Sequence, residues 1–473
     1  MLFPSFAFLV FLPLVFLAHW YVFARNVRLQ NAFILVASYV FYGWWDWRFL
    51  GLLFASSMGD LLIGRAIENS AGHRSRKIWL LFSLVVNLGL LATFKYFNFF
   101  MDGLHDVLLR IGLQPDLPTM RLLLPVGISF YTFQSLSYTI DVYRGQLKAT
   151  RDPIAFLAFV SFFPQLVAGP IERATNLLPQ FLAPRLFNWD QARDGLRQML
   201  WGFFKKIVIA DACAPIVNGI FAGDVSVTPG ITLFFGAFFF AFQIYGDFSG
   251  YSDIAIGSAR LFGIHLSRNF NYPYFSRSIS EFWRRWHISL STWFRDYVYM
   301  PLGGWRTRWG RFRNIMITFT ASGFWHGANW TFIGWGALHG AYYMPEVLRD
   351  GKARRDDPEL RDLPRIILTF LLVVLAWVLF RSQSLATAAA YLLYMARHAL
   401  LDPGVLLLWT LRSETGWIVF MLIVEWWARR DQHALYSLPA VKGLRWSIYL
   451  VLAVIILLHV DMETEHGFIY FQF

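Results

Sequence analysis

Residues 322–340 read SGFWHGANWTFIGWGALHG. Two imidazoles, His326 and His339, sit among tryptophans, glycines and aliphatic residues, with no acid, lysine or arginine between them. The stretch lies in a longer apolar insertion, 314–348, between two basic segments, RTRWGRFR (306–313) and RDGKARRDDPELRDLPR (349–365). As helix the insertion is ~52 Å long at ~1.5 Å per residue. Both basic flanks read as cytoplasmic, so the insertion leaves and returns to one side, as two short crossings or one deep hairpin. About twelve residues in, His326 falls ~18 Å deep, near the middle of a ~30 Å hydrocarbon core. His339 lies on the returning arm. Were the two joined by continuous helix they would sit about 220° apart, which weakens a paired-histidine metal site.

The rest of the chain agrees with a membrane setting. Of 473 residues 57% are hydrophobic and 15% charged, where soluble proteins carry about 25% charged residues. That apolar surface exceeds what soluble cores can hide. Apolar runs fall near 3–23, 29–45, 48–64, 78–100, 121–143, 154–168, 196–221, 229–246, 314–347, 364–380, 386–400, 404–427 and 446–460. Several are shorter than the ~20 residues of a crossing, and several carry proline, glycine or acids, so some are re-entrant or interfacial. The expected fold is an all-α polytopic membrane protein with 10 to 13 embedded helices, one domain over 1–473, with a catalytic core in 243–340. The start, MLFPSFAFLVFLPLVFLAHWYVF, lacks the basic region and cleavage site of a signal peptide and reads as a retained transmembrane helix.

The formal net charge of +12 is first a topology signal. Arg25 and Arg28, HRSRK (73–77) and YRGQLKATR (143–151) recur every two crossings, as the positive-inside rule requires. The basic residues form no single patch, which argues against nucleic acid. The single Cys213 excludes an internal disulfide and a cysteine-rich metal site. No HExxH, Gly-x-Ser-x-Gly, Walker or Rossmann pattern is present, and no histidine is followed five residues later by aspartate.

An ionisable side chain at membrane depth is costly and faces a bundle interior or a wet cavity. On helical spacing Ser322, His326 and Asn329 share one stripe, and Gly323, Gly327 and Ala328 leave room beside the ring. A desolvated histidine stays neutral and can take a proton from a hydroxyl, the general-base task in acyl transfer. The competing reading is a hydrogen bond across a helix interface packed through small residues. His339, with bulky Trp335, Tyr342 and Tyr343 one turn away, reads as packed structure. EFWRRWHISLSTWFRDYVYMPLGG (281–304) reads as an interfacial helix, aromatic side in and charged side out, with His287 as its least easily dismissed member. QIYGDFSGYSDIAIG (243–257) reads as a Gly/Ser-rich helix break whose Tyr245, Asp247 and Asp253 either cap the broken ends or line a cavity.

The blocks FWRRWHISLSTWFRDYVYMPLGG and SGFWHGANWTFIGWGALHG resemble the membrane-bound O-acyltransferase family. LLPVGISFYTFQSLSYTIDVYRG (123–145), FFPQLVAGPIER (162–173), the 243–257 block and FIYFQF (468–473) are similar to its bacterial alginate O-acetyltransferase-like branch. The resemblance implies a multi-helix bundle around a central tunnel in the bacterial inner membrane. It implies a cytoplasmic acyl thioester donor such as acetyl-coenzyme A, with no bound cofactor or metal. His326 matches the family's central histidine in the WHG motif and is expected as the catalytic base. His287 matches a second polar position and is a secondary candidate. Ser322, Trp325, Asn329, Tyr245, Asp247 and Asp253 are expected to line the tunnel. Members of the branch modify exported polysaccharides such as alginate with a periplasmic or extracytoplasmic partner; related proteins serve D-alanylation. RTRWGRFR and GKARR are candidates for the coenzyme phosphates as well as plain topology signals. A transporter or flippase of acyl or lipid-linked groups, D-alanyl or other acyl transfer to a different cell-surface polymer, and a silent scaffold remain the other readings.

Overall fold

A computed structural model describes residues 1–113, 123–167, 169–303, 307–348, 357–398, 403–461 and 467–469. Among these residues every regular element is a helix, and there is no strand. Five segments are long and apolar enough to cross a membrane: Val27–Asn69, His73–Arg110, Gly230–Leu261, Leu360–Arg381 and Lys442–His459. A sixth forms if Gly404–Thr410 and Ser413–Trp427, bent by 58°, count as one span. The first apolar helix, Phe6–Val22, is shorter and carries Pro13. The protein is a multi-pass membrane protein, and its remaining helices are shorter or more polar. The basic stretch GKARR lies outside the described residues.

The chain divides into two compact units, residues 1–192 with 258–266, and 193–257 with 267–473. In the first unit, buried polar groups are matched within the bundle. Asp60 accepts from Ser83 Oγ at 2.8 Å and Asn87 Nδ2 at 3.0 Å. Arg185 donates to Asn31 Oδ1 at 2.7 Å, and Asn31 in turn to the Phe181 carbonyl at 2.7 Å. Such pairing is what a low-dielectric interior demands of any buried polar group. Two of the basic loops lie side by side here. Arg76 donates to the Tyr143 carbonyl at 2.8 Å, and Arg65 Nε to the Thr150 carbonyl at 3.1 Å. The segments 73–77 and 143–151 are thus in direct contact.

In the second unit the helix Gly230–Leu261 runs unbroken through 243–257. The expected break is absent for a packing reason. A Cβ on Gly246 would stand 2.8 Å from the Lys205 carbonyl oxygen, and one on Gly250 would stand 2.7 Å from that of Gly202. These glycines let a second helical segment approach backbone to backbone, as small residues do between membrane helices. That partner is Trp189–Phe203, which continues as a π-helical stretch, Phe204–Asp211.

The 314–348 insertion is a hairpin of two helices, Arg308–His326 and Trp330–Leu348. Thr307 caps the first by accepting from Gly310 N at 2.9 Å. Gly327 is extended and ends it. Gly323 and Gly336 face one another across the arms, each where a Cβ would meet the other's Cα at 3.1 Å.

Candidate active site

His326 is the last residue of its helix, so the structure places it at the hairpin apex rather than partway along a continuous span. It is 2% exposed. Trp335 and Phe380 meet its ring edge-on, with centroids 5.2 and 5.5 Å away, and Trp325 lies at 5.0 Å. Ser322, one turn earlier, is buried on the same helix and lines a cavity. Asn329 departs from the predicted stripe. The helix has already ended, and Asn329 instead caps the returning arm, accepting from Thr331 N at 3.0 Å, while its Nδ2 donates to the Gln383 carbonyl at 2.9 Å.

The predicted interfacial helix of 281–304 is two short helices, Ile279–Arg285 and Ile288–Phe294, followed by a π turn, Arg295–Tyr299. His287 stands at the break with φ 42°, in the left-handed region, which costs an L-residue about 1–2 kcal/mol. Its ring, fully buried, is 4.6 Å from Phe248 of the long helix and 6.4 Å from His326. Thus 243–257, 281–304 and 322–340 converge on one place. The expected outward charges are partly reversed. Glu281 is 4% exposed and bridges Arg277 at 2.9 Å and Arg285 at 2.9 Å. Burial raises its carboxyl pKa, yet the hydrogen bonds and charges of these two guanidiniums prevail and hold it below the ordinary glutamate value.

His339 is packed as its neighbours suggested. Its ring stacks on Phe282, and its Nδ1 accepts from Trp283 Nε1 at 3.2 Å. Trp335 meets both His326 and His339, centroids 5.2 and 4.9 Å away, and Trp283 and Trp377 pack against it at 5.6 and 5.5 Å.

Beside these rings opens a cavity of about 780 Å³. Trp283, Ile288 and Ser322, close in sequence or contact to the histidines, line it together with Arg284, Arg295, Arg311 and Glu346. Glu346 accepts from the backbone N–H and the hydroxyl of Ser280, and Arg284 donates to that hydroxyl at 3.1 Å. The mixture of guanidiniums and aromatics suits a ligand with an anionic head.

Tyr245, Asp247 and Asp253 lie elsewhere, in a buried ionic cluster that the sequence reading missed. Lys206 Nζ bridges Asp247 at 2.7 Å and Asp211 at 2.6 Å, and Lys205 Nζ bridges Asp253 at 2.6 Å. Tyr245 OH donates to both oxygens of Glu425, at 3.0 and 2.9 Å. The backbone N–H of Ile469 donates to Asp247 at 2.6 Å. These three residues therefore satisfy charges instead of lining the cavity. The signal was available: FKKIVIAD (204–211) and Glu425 put ionisable groups inside apolar runs. Asn269, whose side chain meets His287, carried no comparable signal.

A model of the MBOAT, membrane-bound O-acyltransferase family, matches residues 146–349. The chain is 46% identical over 393 residues to a protein named probable alginate O-acetylase AlgI of Azotobacter vinelandii, covering 82% of this chain and 76% of the relative. It is 45% identical to the protein of that name in Pseudomonas aeruginosa, covering 82% and 73%. It is 34% identical to a peptidoglycan O-acetyltransferase of Helicobacter pylori, covering 81% and 77%. With the helical membrane fold and the converging histidines, these matches settle the family: the chain belongs to the membrane-bound O-acyltransferases.

Proposed function

We propose that the protein is an O-acetyltransferase of the bacterial cytoplasmic membrane that moves acetyl from acetyl-coenzyme A toward hydroxyls of an exported polysaccharide of the alginate type. The observation that carries this reading is the buried His287–His326 pair, ring centroids 6.4 Å apart, beside a cavity lined by arginines. The donor's phosphates meet Arg284, Arg295 and Arg311, and its thioester reaches toward Trp283 and Ser322. The acceptor oxygen attacks the thioester carbonyl. A C–O bond forms, the C–S bond breaks, and the hydroxyl proton passes to His326 and then to the departing thiolate. The cavity's arginines favour an anionic donor, and its aromatic rings exclude water that would hydrolyse the thioester. An extracytoplasmic partner protein completes delivery to the polymer. The alginate-type acceptor is supported by the greater similarity to the alginate-type relatives, 46% against 34% for the peptidoglycan one.

The test is complementation. An alginate-producing strain lacking its own membrane acetylase, but keeping the partner, receives this protein, and acetyl groups on the secreted polymer are quantified. Restored acetylation is expected. Unacetylated alginate together with newly acetylated peptidoglycan would reassign the acceptor.

A further inference from the structure

Asn269 is fully buried and belongs to none of the motifs singled out by sequence. Its Oδ1 accepts from Ser289 Oγ at 2.8 Å and from the Ser289 backbone N–H at 3.3 Å. Its Nδ2 donates to Ser252 Oγ, on the long helix, at 3.1 Å. A backbone N–H only donates, so the amide is held with oxygen toward Ser289. The same oxygen lies 3.1 Å from His287 Nδ1. An amide oxygen only accepts, so Nδ1 carries the proton and the lone pair of the neutral ring falls on Nε2. Nε2 is buried and has no hydrogen-bond partner among the described residues. Asn269 also fixes the backbone there, since its carbonyl accepts from Ile288 N at 2.9 Å, immediately after the left-handed His287.

We propose that Asn269 is a positioning residue: it selects the Nδ1–H tautomer of His287 and keeps Nε2 as a bare acceptor beside His326, ready to hold a second hydroxyl of the acyl acceptor, next to the one whose proton passes to His326. The inference rests on the acyl-transfer reading above. A buried acceptor without a donor is costly, and an O–H of the acceptor beside the reacting one is the group that relieves it. With the other tautomer, Nε2 would present a proton to that O–H and lose the hydrogen bond that orients the acceptor. Among the described residues, the titratable ring against His287 is His326 of the hairpin. Phe248, Phe270 and Trp325, the other rings against it, bring no charge. The acid next to Phe248, Asp247, is held by Lys206.

Asn269→Ala and Asn269→Asp separate positioning from packing. Both are assayed in inverted membrane vesicles of the full-length protein, with radiolabelled acetyl-coenzyme A, across pH from about 5.5 to 9. His326→Ala is run in parallel, and folded protein is quantified. Asn269→Ala frees the tautomer and lowers kcat about 10- to 100-fold with little change in donor KM, within the range a proton-transfer group commands. Asn269→Asp still accepts from Nδ1–H, so it retains more activity than the alanine variant. Its carboxylate favours the charged ring, so the acid limb of the profile moves to higher pH. Wild-type kcat in Asn269→Ala, or equal losses in both variants with an unmoved profile, overturns the positioning role. If Asn269→Ala fails to accumulate, the profile of Asn269→Asp decides alone. An active His326→Ala overturns the acyl-transfer reading itself; a silent His326→Ala beside a normal Asn269→Ala overturns only the assignment of Asn269.

Discussion

Two buried polar regions of the second unit are built on opposite principles. Around Lys206, charge is answered by charge: its ammonium sits between Asp247 and Asp211 and over the Tyr251 ring at 5.6 Å. Around His287 and His326 the walls are Phe248, Phe270, Trp325, Trp335 and Phe380. Ion pairs in a low-dielectric interior hold position because each member would be costly alone. Neutral imidazoles can keep a nitrogen available, and that availability is what chemistry needs. The ionic cluster is therefore read as scaffold and the histidine pair as reaction site, although acids at membrane depth look the more functional of the two in a bare sequence.

Substitutions can break this contrast. The largest effect is expected for His326→Gln, which should lower acetyl transfer per folded molecule 10²–10⁴-fold, the span of a lost general base. Next is Lys206→Met. It leaves Asp247 and Asp211 facing each other without their cation and should destabilise the protein by about 3–5 kcal/mol, read as depleted membrane protein and a lowered unfolding temperature. Activity per surviving molecule should stay within a few-fold of wild type. His339→Phe keeps the ring stack on Phe282 but removes the acceptor for Trp283 Nε1. A stability loss of about 1–3 kcal/mol with near-normal turnover is expected, because one buried donor goes unmatched. Glu425→Gln should be smallest, within about 1 kcal/mol, because the amide oxygen still accepts from Tyr245. A large turnover defect there would move Glu425 from scaffold to chemistry.

The sequence made the helical membrane fold legible through run length and charge, and it singled out His326 and His287, whose rings the structure brings within 6.4 Å, through their apolar settings and the family motifs. Where it misled, backbone packing decided. Gly246 and Gly250 read as a helix break but serve close approach to Lys205 and Gly202, because a glycine's local freedom and its packing use look identical in one dimension. Asn329 read as part of the histidine stripe, but Gly327 ends the helix first. The 281–304 stretch read as one amphipathic helix, but the left-handed turn at His287 divides it. Asn269 was illegible because its role depends on contacts 17 and 18 residues away, to Ser252 and His287.

The central claim, that the neutral histidines react while the charged cluster supports, is tested most directly by single-turnover acetyl transfer per folded molecule. His326→Gln and Lys206→Met are measured side by side in vesicles with radiolabelled acetyl-coenzyme A. The account predicts a fully accumulated, inactive His326→Gln and a depleted Lys206→Met whose remaining molecules turn over normally. Wild-type turnover in His326→Gln, or a stable Lys206→Met that has lost turnover, would contradict it.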